Sequence, residues 1–185
     1  MSLAYVILGL LQQEERTGYD LKVGCFDQCI AHLWQADQAQ IYRTLDRLEV
    51  QGWICCTIKI QHDRPNRKVY HITETGKAEL NQWLQTHQPL PVLREPLLMQ
   101  LYFAAELPNE AIATLLEQEL VVRQKKLAEC ISIQVPSLDD QTAAPEQRLH
   151  RLVLDLMIQR EQTYLDWLQR AIEFARSQRN FTPMQ

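Results

Sequence analysis

The feature that most constrains this chain is a change of period. Three segments with apolar residues at helical spacing give way, from Ile54 to Gln61, to strict alternation: Ile54, Cys56, Ile58 and Ile60 on one face, Cys55, Thr57, Lys59 and Gln61 on the other. Alternation of this kind is a half-buried strand, and the β-branched and aromatic run Val69 to Thr73 supplies a partner. Between them lies His62-Asp63-Arg64-Pro65-Asn66-Arg67, polar and turn-forming, so the two strands read as a hairpin. Short helices followed by a hairpin make a winged helix-turn-helix.

The three preceding helices carry their own start and stop signals. Leu3, Val6, Ile7, Leu10 and Leu11 fall on one face, with Ser2 as N-cap. Thr17 and Asp20 have the spacing of a capping box, and Leu21, Cys25 and Ile30 give a stripe reaching about His32, before a short connection at Leu33 to Ala36. Asp37 with Gln40 opens a third helix, Ile41, Leu45 and Leu48 form its buried face, and Gly52 ends it. After the hairpin, Thr75-Gly76 opens a fourth helix through Trp83 and Leu84, stopped by Pro89 and Pro91.

Helices are expected at about Arg94 to Glu106, at Asn109 to Ile133 with Asn109 as cap, and at Glu146 to Arg176, with a loop from Val135 to Pro145. The expected organisation is mainly α with a small β-hairpin: a winged helix over 1–88, a linker over 89–93, a helical dimerisation and effector domain over 94–178, and a tail over 179–185. Leu149, Leu152, Val153, Leu156 and Tyr164 need a partner to cover them, and a two-fold homodimer through the C-terminal helices supplies one.

Composition excludes several functions. Apolar runs such as Leu3 to Leu11 are cut short by Gln12, Gln13 and Glu14, so none reads as a membrane span or secretory signal, and a cytoplasmic location is expected. The five cysteines lack metal-ligand spacing and are expected to be reduced. Cys29 lies among apolar residues and Cys56 alternates with isoleucines, which points to small buried hydrophobes; thiol redox sensing by Cys25, Cys29, Cys55 and Cys56 is the alternative. There is no HExxH, phosphate-cradling glycine loop or nucleophile elbow, so neither an enzyme nor a cofactor is expected.

A net charge of −4 opposes nucleic-acid binding, so any DNA site must be local. On the third helix the buried stripe leaves Gln40, Arg43 and Arg47 on the opposite face, where Arg can pair with guanine and Gln with adenine, while Gln38 and Ala39 offer backbone N–H groups to a phosphate. In the hairpin, Lys59, Arg64, Arg67 and Lys68 stand against the single acid Asp63, placed to reach phosphates or the minor groove. Tyr42 either lies under the wing with its hydroxyl toward a phosphate or is a boundary core residue. The competing readings are a solvated mixed-charge face of Arg43, Asp46, Arg47 and Glu49, and a winged helix that serves as a protein-interaction adaptor.

Tyr5-Val-Ile-Leu-Gly-Leu-Leu11, Thr17-Gly-Tyr-Asp-Leu21, Ile41-Tyr42 with Leu45, Leu48-Glu49 and Gly52, and Val69-Tyr70 with Thr73 and Gly76 resemble the PadR family of transcriptional regulators. Trp83 to Pro89 and Tyr164 to Leu168 resemble its larger subgroup, which includes phenolic-acid-responsive repressors. The resemblance implies a dimer on the C-terminal helices, two winged helices set for successive major grooves of a palindromic operator, and a pocket for a small aromatic effector. Carried onto this sequence, it puts Tyr19, Trp34, Gln38, His87, Gln88 and Trp167 at the effector. Arg43 departs from the proline usual after the recognition tyrosine, and Ala39 and Gln40 stand where small residues usually precede it.

Overall fold

The computed structural model describes residues 3–60, 66–92 and 94–177, and the chain divides after Val92 into two compact units. Ser2, Arg64, Leu93 and the tail over 179–185 lie outside the described residues.

The first unit is a winged helix. Helix α1 (Leu3–Gln13) buries Ala4, Ile7, Leu8, Leu10 and Leu11. It is followed by a two-residue strand, β1 (Arg16–Thr17), for which the sequence carries no period because two residues cannot show one. Thr17 then caps α2 (Gly18–Asp20): its hydroxyl accepts from the Asp20 N–H at 3.0 Å while the Asp20 carboxylate accepts from the Thr17 N–H at 3.1 Å. The helix continues as a π-helical segment, Leu21–Cys29. This winding overturns one expectation. Cys25 and Phe26 are buried and Cys29 is exposed, because each wider turn rotates later residues away from the face an α-helix would give them.

Helix α3 (Gln38–Val50) has the expected capping box, with Asp37 accepting from the Gln40 N–H at 2.7 Å, and Ile41, Leu45 and Leu48 fully buried. Gly52, at φ 70°, makes the left-handed turn that ends it. Strands β2 (Ile54–Lys59) and β3 (Arg67–Ile72) pair antiparallel from Ile54↔Ile72 to Lys59↔Arg67, and β1 adds to the other edge of β3 with Thr17 opposite Val69, giving the order β1-β3-β2. The expected alternation of β2 holds only at its base. Ile54 is buried, whereas Ile58 and Ile60 are 61% and 77% exposed, because the strand runs beyond the core into the wing.

Helix α4 (Glu74–Gln85) starts from a tight corner. The Thr73 hydroxyl accepts from the Gly76 N–H at 3.1 Å and donates to the Gly52 carbonyl at 2.7 Å, and a side chain at Gly76 would put its Cβ 2.0 Å from the Trp53 carbonyl oxygen. Only glycine permits that approach. Tyr5 of α1 stacks on Trp83 of α4 with centroids 5.0 Å apart, closing the unit.

The second unit contains α5 (Pro96–Tyr102), a 3-10 turn (Ala104–Glu106), α6 (Asn109–Ser132) and α7 (Pro145–Ser177). Helix α5 is shorter than the expected 94–106 span, since Pro96 sets its start and Phe103 breaks its end. Asn109 is the first helical residue of α6 rather than its cap; Pro108 holds the cap position with no side-chain hydrogen bond. Helices α6 and α7 run antiparallel, as the pairs Glu117–Arg176 and Arg123–Glu161 require, and enclose Ala113, Leu116, Leu168 and Ile172 with Leu97 of α5. Among the described residues no helix is long and apolar enough to cross a membrane.

One ionic group sits inside this helix pair. Glu161 is 5% exposed and accepts from Arg123 Nη1 at 3.2 Å and Lys126 Nζ at 2.5 Å; Arg123 also pairs with Glu119 at 2.7 Å and lies 3.9 Å over the Tyr164 ring. Partial burial opposes the Arg123 charge, but the two carboxylates more than offset it and raise its pKa. The Tyr164 hydroxyl donates to Glu95 at 3.1 Å, and burial together with that carboxylate pushes the phenol up to about 12.

Candidate nucleic-acid interface

Helix α3 presents the face that its pattern implies. Gln38, Gln40, Arg43 and Arg47 are exposed opposite the buried Ile41, Leu45 and Leu48. Arg43 donates through Nε to the Ala39 carbonyl at 3.3 Å and is exposed, and neither Arg43 nor Arg47 has an ion-pair partner among the described residues. Two details qualify the expected roles. The Gln40 amide oxygen accepts from the Asp37 N–H at 3.2 Å, so its NH2 is the end left to meet a base edge. The Asp37 carboxylate also stands at the helix start, where it occupies the Gln40 N–H and sets a negative charge beside the Gln38 and Ala39 N–H groups expected to meet a phosphate.

Tyr42 packs against Gly18, in the first turn of α2. A Cβ there would lie 2.6 Å from Tyr42 Cζ, so the ring presses on bare backbone and remains 37% exposed. It therefore ties α3 to α2 while keeping one edge in solvent.

The wing cations are less free than their number implies. Arg67 Nη2 is 3.2 Å from Asp20 Oδ1, and Lys59 Nζ is 2.5 Å from Glu15 Oε1. The other Glu15 oxygen is 3.1 Å from His71 Nδ1, whose Nε2 is 2.8 Å from the Thr57 hydroxyl. The Lys59 hydrogen bond holds the Glu15 carboxyl below its usual range, against a slight desolvation, with the Lys59 and His71 charges assisting. The Asp20 carboxyl is also held low: partial burial opposes this, and the Thr17 hydroxyl and N–H, Arg67 and Arg16 prevail. Lys68 is exposed and has no ion-pair partner among the described residues. Arg64, expected at the wing tip, lies outside them.

Sequence reasoning missed these acidic partners. Asp20 showed only its capping role, and Glu15 meets Lys59 across forty-four positions, a distance over which no local pattern signals a contact.

The residues assigned to an effector divide between the units. In the first unit, Tyr19, Gln38 and His87 are exposed, Trp34 is half-buried against the core, and Gln88 is half-buried with its amide donating to the Thr86 carbonyl at 3.0 Å. In the second, Trp167 meets Tyr164 edge-to-face at 5.6 Å and lines an open cleft of about 520 Å³ with Leu98, Leu156, Arg160, Tyr164 and Arg170. Glu95 lines the same cleft, so its aromatic wall carries a carboxylate as well as two guanidinium groups.

Comparison with known proteins places this geometry. Residues 7–82 match the transcriptional regulator PadR-like family, and residues 93–175 match the virulence activator alpha C-terminal family. The negative transcriptional regulator PadR of Bacillus subtilis is 32% identical over 171 residues, covering 90% of this chain and 93% of that protein. The crystal structure of Bacillus subtilis PadR in complex with operator DNA is similar at a TM-score of 0.79 and 31% identity, covering 94% of this chain and 98% of that one. The structure of the same regulator in complex with p-coumaric acid is similar at a TM-score of 0.72 and 29% identity, covering 95% and 96%.

Proposed function

We propose, from the premise that this chain belongs to the PadR-like family of transcriptional regulators, that it is a cytoplasmic, non-enzymatic repressor that binds a palindromic operator as a homodimer and is released by a small aromatic ligand. The observation that carries this reading is the outward face of α3, where Arg43 and Arg47 have no acidic partner among the described residues, on a helix capped at its start and anchored by Ile41, Leu45 and Leu48. Arg43 and Arg47 read base edges, Gln40 assists through its NH2, and Gln38 and Tyr42 contact the backbone. Lys68, Arg67 and Arg64 take phosphates, with Arg67 exchanging Asp20 for DNA. The winged helix over 1–88 serves as the reading head, with 89–93 as the linker, 94–178 as the dimerisation and effector domain, and 179–185 as a tail.

Repression ends when a ligand binds better to a dimer whose recognition helices are misplaced than to the DNA-bound form. The ligand contact proposed in the second unit is Trp167, in the cleft that Glu95, Arg160 and Arg170 also line.

The test is retention of a labelled fragment of the gene's own upstream DNA, with unrelated DNA as competitor. Binding should fall steeply with salt, and Arg47→Ala should cost about 1–3 kcal/mol, roughly 5- to 150-fold, on that fragment alone. Retention that is equal on own and unrelated DNA at every salt concentration overturns the reading that this protein binds a specific operator upstream of its own gene.

A further inference from the structure

We propose that Cys25 and Cys29 form a peroxide-responsive dithiol that closes to an intrahelical disulfide and alters the support beneath α3. The π-helical winding of Leu21–Cys29 places them for it. The Cys25 carbonyl accepts the Ile30 N–H at 3.0 Å, a step of five residues, and the Cys29 thiol reaches the same carbonyl at 3.7 Å. In a regular α-helix the Cβ atoms of positions i and i+4 stand about 5–6 Å apart, beyond the roughly 3.5–4.5 Å that a disulfide spans. The wider π turn has a smaller rise per residue, which shortens the axial step from Cys25 to Cys29, and the Cys29 thiol already turns back to the Cys25 backbone. On the outer side of the segment Lys22 pairs with Asp27, again a step of five residues.

The two thiols are chemically unequal. Cys29 is exposed and meets a solute oxidant; Cys25 is 1% exposed in the core beside Leu21 and Phe26. Burial and the neighbouring Cys29 push the Cys25 thiol up to about 11, so it waits as a thiol and does not compete for oxidant. A hydroperoxide oxidises Cys29 to its sulfenic acid and is itself reduced to water or an alcohol. The Cys25 sulfur then attacks the Cys29 sulfur, the S–S bond forms as the S–O bond breaks, and the Cys25 proton leaves with the hydroxyl as water.

The remaining cysteines are not placed for this. Cys55 and Cys56 are neighbours on β2, so their side chains point to opposite faces of the sheet, and Cys130 is buried in the other unit.

Closing the bond shortens the sulfur separation to about 2.05 Å and draws the end of the π segment inward. Leu21, Cys25 and Phe26 share one core with Ile41, Leu45 and Leu48, and the short connection to Asp37 begins where that segment ends, so the displacement is delivered to the start of α3. Its effect on operator affinity rests on the function proposed above; formation of the disulfide does not.

The full-length protein, reduced and freed of reductant, is treated with hydrogen peroxide, alkylated, cut with trypsin and mapped by mass spectrometry. The peptide from Val23 to Arg43 carries both cysteines and should appear unalkylated and lighter by two hydrogens. Cys25→Ser should instead trap Cys29 as a dimedone adduct. Full alkylation of both thiols after peroxide, or Cys29 bonded to another peptide, overturns the dithiol. In parallel, oxidised wild type should bind the upstream fragment about tenfold more weakly, a change of about 1.4 kcal/mol, with affinity restored by dithiothreitol and no change in Cys29→Ser. A disulfide that forms with operator affinity unchanged overturns its regulatory role. If the reduced protein fails to bind the fragment, the proposed function is at fault, and the peptide map still decides the dithiol.

Discussion

The two units bury their apolar residues in different ways. In the first, short elements each turn one face inward: α1, the π segment, α3 and α4 surround Ile7, Leu8, Leu21, Ile41, Leu45, Leu48 and Leu80 in one core. In the second, α7 has thirty-three residues, and its C-terminal half buries Leu165, Leu168, Ile172 and Ala175. Its N-terminal half buries Leu154 but leaves Leu149, Leu152, Val153 and Leu156 between 41% and 62% exposed. A unit of the first kind is complete within one chain. A unit of the second kind leaves an apolar strip that a second copy can cover, and each side chain so covered contributes about 1.5–3 kcal/mol when fully buried.

The sharpest way to break this contrast is to make the strip polar. Leu152→Lys combined with Leu156→Lys should convert a dimer to a monomer in sedimentation, and should weaken operator binding by about two orders of magnitude as the avidity of two linked heads is lost. Both positions are exposed in the single chain, so its fold should survive, as near-unchanged helical circular dichroism would show. A variant that still sediments as a dimer would place the contact elsewhere on the molecule.

A smaller effect tests what holds the second unit together. Glu161→Ala leaves Lys126 and one side of Arg123 without their carboxylate inside the helix pair, and should cost about 3 kcal/mol of stability. In chemical denaturation only the transition of the second unit should move. A matching shift of the first unit would show that the two do not unfold independently.

The first unit was also more legible in sequence, and the reason is local. Capping boxes at Thr17/Asp20 and Asp37/Gln40, the Ile41/Leu45/Leu48 stripe and Gly52 are signals contained within a few residues, and each appears where its chemistry puts it. What failed locally was the winding of Leu21–Cys29, because a π-helix has no period separable from an α-helix over nine residues; that is why Cys29 was expected inside and stands outside. The Arg43 and Arg47 face was readable because one side of α3 had to be apolar. The Arg67–Asp20 and Lys59–Glu15 pairs and the Glu161 cluster were not, since each joins positions far apart in sequence and leaves no periodic trace.

Those wing pairs give the smallest effect, and it bears on the same contrast: an autonomous unit can still have its function restrained from within. Glu15 neutralises Lys59 and leans on His71 at the base of the wing, and its lowered pKa keeps it ionised throughout the neutral range. The contribution of this pair to folding is therefore present above the usual carboxylate pKa and lost only as pH falls through the lowered one. Because the carboxylate is exposed, its restraint on Lys59 is screened by salt. Glu15→Gln removes the negative charge and frees Lys59 for a phosphate, so DNA binding should strengthen by about threefold at low ionic strength, equally on operator and unrelated fragments, with the slope of log affinity against log salt steeper by about one. The gain should vanish near physiological salt and in the double variant Glu15→Gln with Lys59→Gln. If Glu15→Gln alone left both affinity and slope unchanged, Lys59 would lie off the DNA path, and the phosphate contacts of the wing would reduce to Lys68, Arg67 and its tip.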